Sequence, residues 1–439
     1  MSNFALTTDG RSTAEVERRL RRYLPGLDVR LTPFGARQAL IRGPLVRALE
    51  IEYPHIGAGP LLQVLGVADI KPLTDEETIA VLRQRDEWLL PERPVLRPAS
   101  AAPGVDWHLA MVRAPQAWAR LGGAGAIDWG GVLVGQIDTG YTRHPAFGFG
   151  GTSWVDTARA ASFFPSPPQG EVSMFPAELG PGQDNLQGPN AGHGTRIGAT
   201  ICGHAPGAPG GAFHGAAPCV PLLPVRITDS VIINHAQREF AQALDHLVAA
   251  GAGVVNVSLG IALAVVVGEL KRAIDRAYEA GVIVVCAAGN YVDPVVAPAR
   301  LNRALAIAGV TDAGRPWTNS SFGPEVDFSA PAADLRRANT SAGGGFGYGG
   351  GGDGTSYASA LVSGAAALWL RQHRDALAAA CPQPWQRVEA FATLARATAR
   401  LPPGVPWQPG AFGSGILDIE ALLAAPLPAA AGLQRQPPA

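Results

Sequence analysis

The chain carries little charge of either sign and almost no imbalance. Only 16% of its 439 residues are Asp, Glu, Lys or Arg, and 35 basic residues stand against 36 acidic ones. The basic residues are scattered, which argues against a nucleic-acid footprint. Cysteine is scarce. Cys202, Cys219, Cys286 and Cys381 form no CxxC pair, so neither a zinc ribbon nor a disulfide framework is indicated and buried, reduced thiols are expected. Unbroken apolar runs are short, and none approaches the ~20 residues that span a bilayer. The N-terminal stretch MSNFALTTDGRSTAEVERRLRRYL lacks the apolar core of a signal peptide, so a cytoplasmic protein with no membrane partner is expected.

What is abundant is apolar residues, 47% of the chain, and glycine, 54 residues. A large buried core is therefore expected, in two or three domains or one large domain with an appendage. Ser12 to Glu15 and Thr74 to Glu77 fit helix capping boxes, and strand-like runs lie between them: DVRLTPF, RQALIRG and RALEIEY. Residues 1–90 thus read as a small α/β module. Residues 91–104, dense in Pro and Ala, read as an extended linker. Beyond them GVLVGQID, VPLLPVRI, GVVNVSLG, VIVVCAAG and ALAIAGV are nearly continuous apolar runs, as expected of strands buried on both faces. TRIGATICG, HAQREFAQALDHLVAAG and VVVGELKRAIDRAYEAG read as helices between them. This alternation predicts an α/β fold with a mostly parallel central sheet and helices on both faces. Ligands of such sheets sit beyond the carboxyl ends of the strands.

Polar residues stand at those ends. Asp138 closes GVLVGQID, His193 opens a helix in NAGHGTRIGATICG, Asn290 follows VVCAAG, and Ser356 stands where GGGGDGT gives way to a long small-residue apolar stretch. Each has a plain reading. Asp138 can be a turn former, a cap or a metal ligand, His193 a structural residue, Asn290 turn chemistry, and Ser356 a helix N-cap. Together they supply what nucleophilic hydrolysis needs: an alcohol, an imidazole to take its proton, a carboxylate to fix the imidazole, and an amide donor for an oxyanion. They run in the order Asp, His, Asn, Ser, and Asp–His–Ser is the subtilisin order of the triad.

The sequence resembles the subtilisin-like serine proteases (subtilases). QIDTGYTRHPAF is similar to the aspartate block, NAGHGTRIGATICG to the histidine block, and HGAAPCVPLLPVRI to the strand entry that follows. GVVNVSLG is similar to the substrate-binding strand, VVCAAGN to the oxyanion block, and DGTSYASALVSGAAAL to the serine block. The likeness runs over residues 105–424 and implies a three-layer subtilisin-like fold. It implies a serine endopeptidase in which Asp138 orients His193, His193 is general base then acid, Ser356 forms an acyl-enzyme and Asn290 donates to the oxyanion. Ser258, Leu259, Gly260, Ala288 and Gly289 are then the substrate-binding edges, where a protein or peptide substrate adds as a strand. The chemistry requires no cofactor. The family often binds calcium in loops, but no ligand cluster is assignable. Tyr357, Ala360 and Arg196 replace a Met, a Pro and a His common in the family's blocks. The same acyl-enzyme also serves a peptide ligase or macrocyclase, and a dedicated signalling or defence protease with one target is a further variant.

By the same resemblance, residues 1–90 are either a propeptide that caps the active site or a retained domain that docks a partner. The glycine-rich SAGGGFGYGGGGDG is read either as a mobile substrate loop or as a flexible connection, residues 148–192 as a variable loop, and residues 425–439 as a disordered tail.

Overall fold

The computed structural model describes residues 3–23, 31–35, 37–42, 62–63, 65–75, 77–78, 106–164, 179–186, 190–262, 265–292, 294–341 and 345–439. The predicted linker and the strand predicted at RALEIEY lie outside them.

Strand β1 (Asn3–Thr8), helix α1 (Thr13–Tyr23) and strands β2 (Thr32–Gly35), β3 (Gln38–Arg42) and β4 (Val67–Leu73) form the N-terminal module. Its sheet has the order β2-β3-β1-β4, with β1 antiparallel to both neighbours. Val16 and Leu20 of α1 pack with Leu6, Ala39 and Ile41 of the sheet. The second capping box is complete, Thr74 and Glu77 bonding reciprocally at 2.8 and 3.1 Å, while the first shows one half, Glu15 N–H donating to Ser12 Oγ at 3.2 Å. β1 had no sequence signal that set it apart from an N-terminal tail.

The large domain is built on β5 (Val134–Asp138), the two-residue β6 (Ala161–Ser162), helix α2 (His193–Cys202), the β7 (His204–Ala205) and β8 (Phe213–His214) pair, β9 (Leu222–Arg226), α3 (Gln237–Ala249), β10 (Val254–Val257), α4 (Gly268–Glu279), β11 (Ile283–Ala287), β12 (Leu305–Val310), β13 (Val326–Pro331), β14 (Leu335–Thr340), β15 (Phe346–Gly352), α5 (Thr355–Ala380) and α6 (Pro384–Thr398). Seven of these strands form one parallel sheet in the order β13-β12-β11-β10-β5-β9-β6. The period of two sorts side chains to opposite faces. Val134, Leu222, Val254, Ile283 and Val285 point to the side of α2 and α5, while Ile137, Leu223, Val225, Val255 and Val284 meet Phe240, Leu244, Leu270 and Ile274 of α3 and α4. Both faces are covered, which is why the strands lack polar alternation.

Three expectations are corrected. The glycine-rich segment is neither a mobile loop nor a plain connection over residues 346–352: it is β15, antiparallel to β14. Its last glycine makes room for the large Tyr357, since a β-carbon at Gly352 would stand 3.0 Å from the tyrosine ring. Residues 148–192 supply a sheet strand, β6. The tail is ordered: Gln436 N–H donates to Tyr278 Oη at 3.0 Å, Arg303 donates to the Gln436 carbonyl, and Ala439 N–H reaches Asp275 at 3.0 Å. Its anchors are more than a hundred residues away, so its own composition did not reveal them. All four cysteines are free, Cys202 and Cys286 fully buried.

The module rests on the large domain through α4. Asp75 accepts from the backbone N–H groups of Gly268 and Glu269 at 3.3 and 3.2 Å, and lies 3.7 Å from Arg272. A carboxylate there satisfies orphan donors and meets the positive end of the helix dipole. Leu40 and Leu73 pack with Val265 beside it.

Candidate active site

Asp138 is the last residue of β5, Ser258 follows β10, and Asn290 follows β11. His193 opens α2 and Ser356 lies in the first turn of α5. The site is thus at the carboxyl ends of neighbouring strands, capped by two helix N-termini. His193, Ser258, Leu259, Gly260, Gly289, Asn290 and Ser356 all line one cavity of about 350 Å³. Ala288 does not: it is fully buried in the core, and Ala287 lines the cavity instead. With a side-chain period of two, the adjacent alanines turn their side chains to opposite faces.

Asp138 and His193 are 1% and 4% exposed. Asp138 Oδ1 accepts from Thr139 N–H and faces His193 Nδ1, both at 2.7 Å. Asp138 Oδ2 is buried with no partner among the described residues. The aspartate loop and the histidine helix touch backbone to backbone: a β-carbon at Gly194 would stand 2.1 Å from the Gly140 carbonyl oxygen.

A carboxylate that sequence reasoning missed ties this pair together. Asp184 Oδ2 accepts from Thr139 Oγ1 at 3.0 Å and from Gly192 N–H at 2.8 Å, and its Oδ1 accepts from Leu186 N–H. It thereby links the residue after Asp138 to the residue before His193. Burial pushes its carboxyl above the ordinary range, against the pull of these bonds. It lies in the stretch taken for a variable loop, and nothing in its local sequence distinguishes it.

On the serine side, Gly354 adopts φ 140°, a conformation that side chains resist. Thr355 then donates its N–H to Asn290 Oδ1 at 2.9 Å, and its hydroxyl stands 2.9 Å from the same oxygen. An N–H can only donate, so the atom facing it must be the amide oxygen, and the NH₂ group of Asn290 is left for other acceptors. Ser356 Oγ donates to the Ser258 carbonyl at 3.3 Å. Beneath it runs a buried chain of hydrogen bonds. Ser258 Oγ meets the Ser356 carbonyl at 3.1 Å and Ser359 Oγ at 3.0 Å, while Asn256 bonds both Ser258 and Ser363 at 3.0 Å. α5 is buried from Thr355 to Leu370, and its small residues permit close approach. A β-carbon at Gly364 would meet Ala216 at 2.6 Å.

One expected edge is already paired. Gly260 N–H donates to the Val231 carbonyl, and Ile233 N–H to the Gly260 carbonyl, both at 2.9 Å. Among the described residues no group of three or more His, Cys, Asp or Glu could hold a metal ion, and no helix is long and apolar enough to cross a membrane.

Residues 130–415 match the family model described as the subtilase family, Peptidase S8. The chain belongs to the subtilase family. It is 29% identical to a thermostable alkaline protease of Halalkalibacterium halodurans over 60% of this chain and 62% of that protein. It is 30% identical to a subtilisin of Bacillus pumilus over 47% of this chain and 70% of the relative. The chain spans about half (51%) of the subtilisin E of Bacillus subtilis. Fervidolysin from Fervidobacterium pennivorans superposes with a TM-score of 0.54 at 19% identity, covering 97% of this subtilase and 61% of that chain. MycP1 from Mycobacterium smegmatis gives 0.54 at 23% identity, covering 76% and 88%. These two likenesses establish the subtilisin-like α/β fold.

Proposed function

We propose that this subtilase is a serine endopeptidase that uses Asp138, His193 and Ser356 as its triad and Asn290 as an oxyanion donor. The observation that carries the reading is the 2.7 Å contact of His193 Nδ1 with Asp138 on the wall of the cavity that Ser356 and Asn290 also line. A carboxylate accepts only, so Nδ1 carries the proton and Nε2 keeps its lone pair. Nε2 takes the Ser356 proton as Oγ attacks the peptide carbonyl. The oxyanion is met by the Asn290 NH₂ group and the Ser356 N–H at the positive end of α5. His193 returns the proton to the leaving amine, and water attacking the acyl-enzyme completes hydrolysis. A substrate that pairs with Gly260 exchanges for the two bonds to Val231 and Ile233. The test is a fluorophosphonate probe with the adduct mapped by mass spectrometry. An adduct on Ser356 is expected, and none in either the intact chain or a chain lacking residues 1–104 would end the proposal. Product masses separate hydrolysis from peptide transfer.

Asn290→Ala removes the side-chain oxyanion donor while leaving the triad and the Ser356 N–H. kcat is expected to fall by about 10²–10³, the size known for the corresponding donor in subtilisin itself, with KM little changed. Steady-state kinetics on one peptide substrate check it, and a loss confined to KM would contradict the role.

The docked module favours one further reading: residues 1–90 act as an inhibitory propeptide on the catalytic domain. Asp75 caps α4 from the module's side. The ion pair with Arg272 is exposed and contributes little, but losing a cap costs ~1 kcal/mol. Asp75→Ala should therefore raise the basal peptidase activity of the intact, uncleaved chain about fivefold. Unchanged activity would show that this contact does not hold the module in an inhibitory position.

A further inference from the structure

The cavity beside Ser356 has two walls, Ser258, Leu259 and Gly260 on one side and Ala287 and Gly289 on the other. Each wall carries a glycine, and glycines leave room for a wide side chain between them. Val296 reaches into that room. A β-carbon at Gly260 would stand 2.8 Å from Val296 Cγ2, and one at Gly289 would stand 2.9 Å from Val296 Cγ1 and 3.1 Å from Cγ2. One valine therefore lies against both glycines, Cγ2 against each of them and Cγ1 against Gly289.

Val296 is also held in place. Its N–H donates to the Ala288 carbonyl at 2.9 Å, and the carbonyl of the next residue, Ala297, accepts from Ile261 N–H at 2.7 Å. The segment is thus bonded to the strand extensions on both sides. A β-branched side chain has few χ1 choices, so rotation does not clear both methyls from the gap.

We infer that Val296 sets substrate selectivity by closing the floor of the pocket that receives the side chain on the acyl side of the scissile bond. The inference rests on the peptidase reading. With the carbonyl carbon at Ser356 Oγ and its oxygen at Asn290, that side chain is directed into the space between Ser258–Gly260 and Ala287–Gly289. Only a small residue, Ala, Ser or Gly, fits above the valine. Leu, Phe or Tyr must displace a side chain anchored on both walls. The substrates are peptides with a small residue before the cleaved bond.

The experiment measures the rate at which Ser356 of the full chain is labelled by two peptidyl diphenyl phosphonates that differ only in ending in the alanine or the phenylalanine analogue. The wild type is expected to react with the alanine probe at least about tenfold faster, since pocket size alone discriminates on that order. Val296→Gly should raise the phenylalanine rate at least about tenfold, and Val296→Ala should move it the same way by less, which keeps the test decisive if the glycine variant folds poorly. A wild type that prefers the phenylalanine probe overturns the inference, as does a ratio unmoved by both substitutions. In either case labelling by a small fluorophosphonate leaves the peptidase reading standing. A Ser356 that reacts with no phosphonate, either in the full chain or in a chain lacking residues 1–104, overturns both.

Discussion

Ser356→Ala is expected to abolish labelling by fluorophosphonate and to lower kcat for a peptide substrate by about 10⁶-fold, a magnitude taken over from subtilisin. The physical reason is that the neighbouring hydroxyls among the described residues are engaged elsewhere, Thr355 Oγ1 with Asn290 among them. Ser258, Ser359 and Ser363 are neighbours, but their oxygens are committed to the buried chain under α5. Fold should survive, because Ser356 Oγ makes one bond at 3.3 Å, to the Ser258 carbonyl, and a single such bond is worth ~1 kcal/mol. Intact mass adds a second readout. If the chain removes its own N-terminal module, the wild type loses mass and the alanine variant does not. A variant that keeps more than about a hundredth of the wild-type rate would place the nucleophile elsewhere.

Much of the large domain was legible because its strands are buried on both faces. Runs such as VIVVCAAG have no polar alternation to confuse with a surface strand, and the polar residues that end them stand out. What was hidden is what depends on partners far along the chain. Thr355 holds Asn290 across 65 residues, and Asp184 holds the His193 loop to Thr139 across 45. No local pattern marks either contact. β15 was missed for a different reason: glycine has low strand propensity, and here the strand exists because β14 supplies its hydrogen bonds and Tyr357 needs the space. Ala287 and Ala288 differ only in which face of a strand end they occupy, a question of register that composition does not answer.

Asp138→Asn is the substitution that separates charge from shape. The amide is isosteric, so packing around a residue 1% exposed is preserved. Two arrangements are open to it, and both are harmful. If the amide oxygen stays on Thr139 N–H and His193, the NH₂ group replaces Oδ2, which is buried without a partner among the described residues, and two donors go unmet. If the amide turns over, its NH₂ group faces Thr139 N–H, donor against donor, and donates to His193 Nδ1, which places the imidazole proton on Nε2 where the lone pair is required. In neither case is there a negative charge to stabilise the imidazolium that forms as Ser356 is deprotonated. The expected fall in kcat is about 10⁴-fold, with KM changed less than about threefold because Asp138 is not among the residues that line the cavity. The labelling rate of Ser356 should fall with kcat, since both report the same proton transfer. A loss of less than tenfold, in a variant shown by its melting curve to be folded, would mean that His193 does not depend on this carboxylate.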